Sequence, residues 1–327
     1  MTTRPLKPAD IQPLISEAAG RIYGLVCETP LAPLEDVPGV PSDTRVYAKL
    51  EQLQHTGSFK LRGATNKLMS LDRARAAAGV VTSSTGNHGI GVAAAAEHLK
   101  IDAEVFISGQ VAETKRAKIA SFGARLRHAG ATPLEAELAA RADAERTGRT
   151  YVSPYNDPYV IAGQGTIAVE LVRQLPALDA VFVATGGGGL VSGIGCHLRT
   201  VAPHVEVVAC WAENSKVLYE SLRAGRIIDA PELPTLSEST AGGVEQGSIT
   251  FDLAREVVDR AELVREDEIL AAMRFGHARG WSMEGAGGVA IGAFFKSAGR
   301  YAGKSVAIVV CGGNPSAEIR ALLTSSD

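Results

Sequence analysis

A lysine that performs chemistry needs neighbours that let another group come close. Lys60 has them. It lies in the loop-like run 56–64, Thr-Gly-Ser-Phe-Lys-Leu-Arg-Gly-Ala. Gly57, Ser58 and Gly63 permit close approach, and Phe59 offers an apolar face that would depress an amine pKa. A lysine taken alone is most often a solvated surface charge, so the rest of the chain must decide.

A second candidate is the run Gly186-Gly187-Gly188-Gly189, between an apolar stretch and a helical stretch starting at Leu190. Four glycines let backbone N–H groups turn toward one point, and a helix N-terminus adds positive potential, so a phosphate is the natural guest. The competing reading is a tight, closely packed turn. No G-x-x-x-x-G-K-[ST] run is present, and Val191 and Ser192 break the G-x-G-x-x-G spacing. Glu206 lies at a distance suited to a ribose contact, which keeps a dinucleotide as the second choice. Phosphate beside a candidate amine points to pyridoxal 5'-phosphate, whose aldehyde forms a Schiff base with lysine.

The elements that must position these residues alternate. Val46–Leu50, Gly79–Ser83, Ala103–Ile107, Arg125–His128, Tyr151–Ser153, Ala180–Ala184, Val205–Trp211 and Val306–Val310 read as buried strands, with Ala-rich helical stretches such as Ile90–Leu99 and Glu135–Arg146 between them. Alternation of this kind predicts an α/β fold with open, mostly parallel sheets flanked by helices. Three strands run into polar or glycine-rich turns: Ser84 to Gly89, Gly186 to Gly189, and Cys311 to Asn314. Ligands of open α/β sheets bind beyond the C-terminal strand ends, so these loops predict one composite site.

With 327 residues the chain is too long for one ordinary core and suggests two domains. A net charge of -3 gives no basic excess to hold nucleic acid. The longest apolar runs, such as Ser305 to Cys311, are too short to span a bilayer, and Met1 to Asp10 has no apolar leader core. Cys27, Cys196, Cys210 and Cys311 are scattered, suggesting neither a disulfide framework nor a zinc site; a reducing cytoplasm is the simplest location.

The runs "GSFKLRGA", "SSTGNHGIGVA", "IAGQGT", "TGGGGLVSGIG", "MEGAGGVA" and "CGGN" occur in that order. Together they resemble the fold-type-II pyridoxal-phosphate enzymes, tryptophan synthase β-like in fold, and within them the threonine/serine dehydratase family that also contains serine racemase. The resemblance runs from about Thr29-Pro30-Leu31 to Asn314. It implies a large cofactor-binding domain from 1–50 and 155–327, a small domain from 51–154, and a homodimer. Lys60 would be the Schiff-base lysine and α-proton base, and Phe59 would border the ring. Asn87 would bind the 3'-oxygen, Gly186, Gly187, Gly188 and Gly189 the phosphate, and Cys311 would face the pyridine nitrogen. Glu284 belongs to the same set. Ser84, Thr85, Gly86, Asn87 and His88 would grip the substrate carboxylate; His88 alone would also suit a helix cap. Neither cysteine nor serine at 311 keeps a proton on the ring nitrogen as an aspartate would. The ring is then a weaker electron sink, which suits β-elimination.

The implied activity is a lyase: β-elimination of water from L-threonine or L-serine, giving a 2-oxo acid and ammonia, with the cofactor phosphate assisting loss of the hydroxyl. Some positions depart from the family pattern. Thr85 stands where racemases carry a serine, which puts racemization in question, and Ser153 stands where histidine is common. Met283-Glu284-Gly285-Ala286 lacks a frequent proline. Glu213-Asn214-Ser215 resembles the start of a metal site, but Tyr219 replaces the next acidic ligand, leaving a divalent or monovalent cation open. The run Gly242 to Ser248 is similar to dehydratase-like proteins of hydroxyectoine use, so a bulkier hydroxylated amino acid, or 3-hydroxyaspartate, competes as substrate. A serine racemase, a non-catalytic cofactor-binding protein and an NAD-dependent oxidoreductase are rival readings of the whole chain. The end of the chain at Asp327 predicts no appended regulatory domain.

Overall fold

The computed structural model describes residues 4–109 and 113–324. Its strands form two sheets. The larger contains β1 (Leu31–Pro33), β2 (Arg45–Lys49), β7 (Ala180–Ala184), β8 (Glu206–Ala212), β9 (Arg260–Val264) and β10 (Ser305–Val309), in the order β1-β2-β10-β7-β8-β9. The smaller contains β3 (Val80–Ser83), β4 (Ala103–Ile107), β5 (Arg125–His128) and β6 (Thr150–Tyr151), in the order β5-β4-β3-β6. Every pairing of these strands is parallel except that of β1 with β2.

The central strands are mostly apolar because helices cover both faces. Every residue of β7, Ala-Val-Phe-Val-Ala, is buried, and Phe182 meets Phe294 edge-on at 5.3 Å between ring centroids. The strand expectations need three corrections. β6 covers only Thr150–Tyr151, both part-buried, in place of a buried Tyr151–Ser153. β5 is not buried: three of its four residues are exposed, because it is a sheet edge. β1 and β9 are absent from the expected strands; one is a three-residue edge strand ending in proline, the other an edge strand mixing charged and apolar residues.

The helices that carry the site have local reasons to start where they do. Asp157 caps the helix Pro158–Gln174, accepting from the N–H groups of Tyr159 and Val160, with Pro158 in the first turn. The helix Gly189–Val201 begins at the last glycine of the loop, one residue before the expected Leu190. The helix Lys60–Met69 crosses the helix Pro158–Gln174 at glycines: a Cβ on Gly163 would lie 2.5 Å from the Arg62 carbonyl oxygen. That close approach accounts for "IAGQGT" as a packing motif. Gln164 reinforces it by accepting from the Gly63 N–H at 3.1 Å.

Candidate active site

Lys60 is not in a loop. It is the first residue of the helix Lys60–Met69, so the helix N-terminus opposes its charge. Its amine donates to the Pro154 carbonyl at 2.9 Å and lies 5.1 Å from the centre of the Phe59 ring. Burial pushes the amine down to about 8, against a weaker opposing pull from Cys311 and Glu284. A substantial neutral fraction is therefore present near physiological pH, as an imine-forming or proton-abstracting lysine requires.

The three expected loops meet around it. Ser58 bridges to Gly312, and the Phe59 N–H donates to the Cys311 carbonyl at 3.1 Å. The Cys311 side chain is buried, and burial raises its thiol far above the ordinary value, so it stays neutral. Asn314 spans the sheets: its Nδ2 donates to Asn87 Oδ1 at 2.7 Å and to the Thr56 carbonyl at 3.0 Å.

The loop after β3 leads into the helix Asn87–Leu99, whose N-cap is Gly86 and has no side-chain cap. Its first N–H groups are thus available to an anion. Ser84, Thr85 and Gly86 are partly exposed; Asn87 and His88 are buried. His88 does not cap its helix. Its Nε2 lies 3.0 Å from the Val152 carbonyl, and burial, with the nearby Lys60 charge, lowers its pKa to about 3. A neutral ring facing a carbonyl carries its proton on Nε2. Nδ1 is then a buried acceptor without a partner.

Asn87 also donates to both oxygens of Glu284, at 2.9 and 2.8 Å. Glu284 is the N-cap residue of the helix Gly285–Ser297 and accepts from Ser239 Oγ at 2.7 Å. No motif in the sequence points to Ser239. The same is true of Lys118, which donates to Asn314 Oδ1 at 2.5 Å from the helix Glu113–Ala120.

At the glycine loop, Gly188 has φ +89°, which only glycine adopts without strain. A Cβ on Gly186 would lie 2.7 Å from the Thr240 carbonyl oxygen, and one on Gly187 would lie 2.7 Å from the Tyr155 ring. Close packing therefore accounts for part of the glycine requirement. The loop also keeps its donors: among the described residues, the N–H groups of Gly186, Gly187 and Gly188 have no hydrogen-bond acceptor. Unpaired N–H donors running into a helix N-terminus fit a phosphate. With Lys60 and the neutral Cys311, the residues present fit pyridoxal 5'-phosphate.

Glu206 is at the other end of the sheet. It lies level with Ala180 at the start of the strands and pairs with Tyr301 and Arg260, which removes the basis for a ribose contact. Glu213 is exposed beyond β8, and Tyr219 packs on Trp211 at 5.6 Å. Among the described residues no group of three or more His, Cys, Asp or Glu could hold a metal ion.

A buried ionic cluster lies beneath Lys60; its Arg62 falls within "GSFKLRGA", but no motif points to its partners. Arg62 donates to both oxygens of Glu51, each at 2.8 Å, and to both oxygens of Glu170, at 2.6 and 3.0 Å. Lys49 joins Glu170 at 2.5 Å, and Tyr23 donates to it at 2.6 Å. Burial opposes the Arg62 charge, but the two carboxylates outweigh it and raise its pKa. The cluster ties the lysine-bearing helix to β2 and to the helix Pro158–Gln174.

Known proteins resemble this chain in sequence and fold. The chain is 39% identical over 301 residues to an L-threonine ammonia-lyase of Thermotoga maritima, covering 92% of this chain and 74% of that one. It is 37% identical over 275 residues to a beta-hydroxyaspartate dehydratase of Paracoccus denitrificans, covering 83% and 85%. The structure of processed threonine deaminase isoform 2 from Solanum lycopersicum superposes with a TM-score of 0.90 at 30% identity, covering 97% of this chain and 87% of that one. A family model described as "Pyridoxal-phosphate dependent enzyme" matches residues 22–312, and the chain belongs to that family.

Proposed function

We propose that this enzyme is an ammonia-lyase that removes water from a β-hydroxy amino acid, with L-threonine or L-serine as the first substrates, yielding a 2-oxo acid and ammonia. The observation that carries this reading is the partly buried Lys60, its amine held by the Pro154 carbonyl at 2.9 Å and lowered to about 8, at the junction of the three loops. When bound, pyridoxal 5'-phosphate supplies an aldehyde that links to a lysine and a ring that withdraws electrons from the α-carbon.

The chain's own residues divide the rest. Gly186 to Gly189 hold the phosphate, Asn87 the 3'-oxygen, and Phe59 one face of the ring; Glu284 orients Asn87. Cys311 presents a neutral thiol to the ring nitrogen. The substrate carboxylate sits on the uncapped helix N-terminus formed by Ser84, Thr85, Gly86, Asn87 and His88. The Lys60 amine would take the α-proton of the bound amino acid, and the β-hydroxyl would leave with a proton as water. Thr85 lies on the opposite face, where its methyl and restricted χ1 disfavour proton return. The division into a large domain, 1–50 and 155–327, and a small one, 51–154, follows the two sheets. A homodimer in the cytoplasm is part of the same reading. No helix among the described residues is long and apolar enough to cross a membrane.

A second reading takes a bulkier substrate, such as 3-hydroxyaspartate. It is favoured by the beta-hydroxyaspartate dehydratase similarity. The test is to incubate the holoenzyme with L-threonine, L-serine and 3-hydroxyaspartate and to measure oxo acid, ammonia and D-amino acid separately. Oxo acid with equal ammonia from threonine or serine supports the first reading, and turnover of 3-hydroxyaspartate alone supports the second. D-amino acid as the main product would replace both with a racemase.

A further inference from the structure

Glu245 belongs to the run Gly242 to Ser248 that departs from the common family sequence, and no catalytic role accounts for it. Its hydrogen bonds reach separate elements. Its N–H donates to the Tyr155 hydroxyl at 3.1 Å, Oε1 accepts from Asn156 Nδ2 at 2.8 Å, and Oε2 accepts from Arg141 at 2.7 Å. Asn156 closes the ring of contacts, since its Oδ1 accepts from the Ile249 N–H at 2.9 Å. Arg141 comes from the helix Pro133–Thr147 on the smaller sheet, lies 4.4 Å over the Tyr151 ring and also pairs with Glu137.

The segment so held touches both halves of the site. The Pro154 carbonyl accepts from the Lys60 amine, and the Tyr155 ring occupies the space that a Cβ on Gly187 would need. A Cβ on Gly189 would likewise come 3.0 Å from Tyr155 Cα. A shift of residues 154–155 would therefore move the amine's partner and the wall of the glycine loop together. An ordinary exposed ion pair has no such reach. Here one carboxylate joins the smaller-sheet helix to the segment packed on the glycine loop.

We infer that Glu245 is a positioning residue: through Asn156 and Tyr155 it sets the shape of the glycine loop, and through Arg141 it makes that shape depend on the smaller sheet. The inference rests on the reading that Gly186 to Gly189 hold the cofactor phosphate. It assigns Glu245, Asn156 and Arg141 to cofactor affinity at the phosphate end, without contact to the cofactor.

The test uses the full chain, stripped of cofactor and titrated with pyridoxal 5'-phosphate and, separately, with pyridoxal, which has the same aldehyde and ring but no phosphate. Visible absorbance reads binding. For Glu245→Gln and Asn156→Asp the phosphorylated compound should bind about tenfold more weakly or worse, while pyridoxal stays within about twofold of wild type. Arg141→Ala, which removes the link to the smaller sheet, should weaken the phosphorylated compound in the same way and leave pyridoxal close to wild type. Equal losses for both compounds, or no loss for the phosphorylated one, would overturn the inference. If wild type itself binds the two equally, the phosphate reading of the glycine loop fails and takes the inference with it. If wild type discriminates and both variants match it, the inference alone fails. Asn156→Asp keeps the test decisive if Glu245→Gln does not fold.

Discussion

Lys60 and Pro154 belong to segments 94 residues apart and meet through one hydrogen bond of 2.9 Å from the amine to the carbonyl oxygen. A carbonyl accepts from the ammonium and from the neutral amine alike, so this bond holds the nitrogen in place in either protonation state. The charge is set instead by burial, which lowers the amine to about 8.

A pH dependence follows. Lys60 has a folded value of about 8 against an ordinary 10.5, so between these values the unfolded chain holds a proton that the folded chain has released. The Lys60 contribution to the stability of the cofactor-free chain therefore rises with pH across that window, while the buried thiols, Cys311 among them, are held above their ordinary value and pull the other way. Cofactor capture needs the neutral amine and should accelerate up to about pH 8 and then level off. Stopped-flow absorbance from about pH 6.5 to 9.5 reads the rate across that titration. A rate independent of pH would contradict the assignment of Lys60 as the capturing amine.

Gly188 tests the loop. Alanine there must adopt φ +89° and place its Cβ 2.8 Å from Leu218 Cδ2. Strain of about 1–3 kcal/mol is expected, and the cofactor should be lost on dialysis that wild type survives. Full retention by Gly188→Ala would mean that the loop only packs.

Arg62 tests the scaffold beneath the lysine. Arg62→Met leaves Glu51 and Glu170 without their shared partner in a buried site. Removing one member of a buried ion pair costs about 3–5 kcal/mol. Urea unfolding at pH 7 should show a loss of that order. A change under about 1 kcal/mol would show that the cluster tolerates the gap or admits water.

Much of this architecture is readable in the sequence, for identifiable reasons. Strands such as Ala180–Ala184 are apolar runs ended by glycine, because helices bury both faces. Edge strands lack that signature: Arg260–Val264 pairs on one side only and mixes charged with apolar residues. The residues expected at the site sit in local motifs, whereas Ser239 and Lys118 reach it from outside any motif. Arg62 is different. Its partners Glu51 and Glu170 lie 11 and 108 residues away, and no local pattern announces a pairing made by the crossing of two helices. Lys60 reads as a loop residue because the small residues Gly57 and Ser58 precede it, yet the helix-friendly run that follows already starts at Lys60.

Thr85 tests the division of labour on the two faces of the substrate. With Lys60 proposed as the α-proton base, Thr85→Ala should retain most of the elimination activity, and Thr85→Ser should raise the yield of D-amino acid. Oxo acid and D-amino acid are measured separately with L-serine as substrate. Loss of elimination in Thr85→Ala as complete as in Lys60→Ala would reverse the assignment.

The central claim is that Lys60 is the residue joined to the cofactor. Borohydride reduction of the holoenzyme, proteolysis and mass spectrometry of the labelled peptide test it directly. The account predicts one pyridoxyl group per chain, on Lys60 within "GSFKLRGA", and none in Lys60→Ala. Label on any other lysine, or undiminished label in Lys60→Ala, would contradict it.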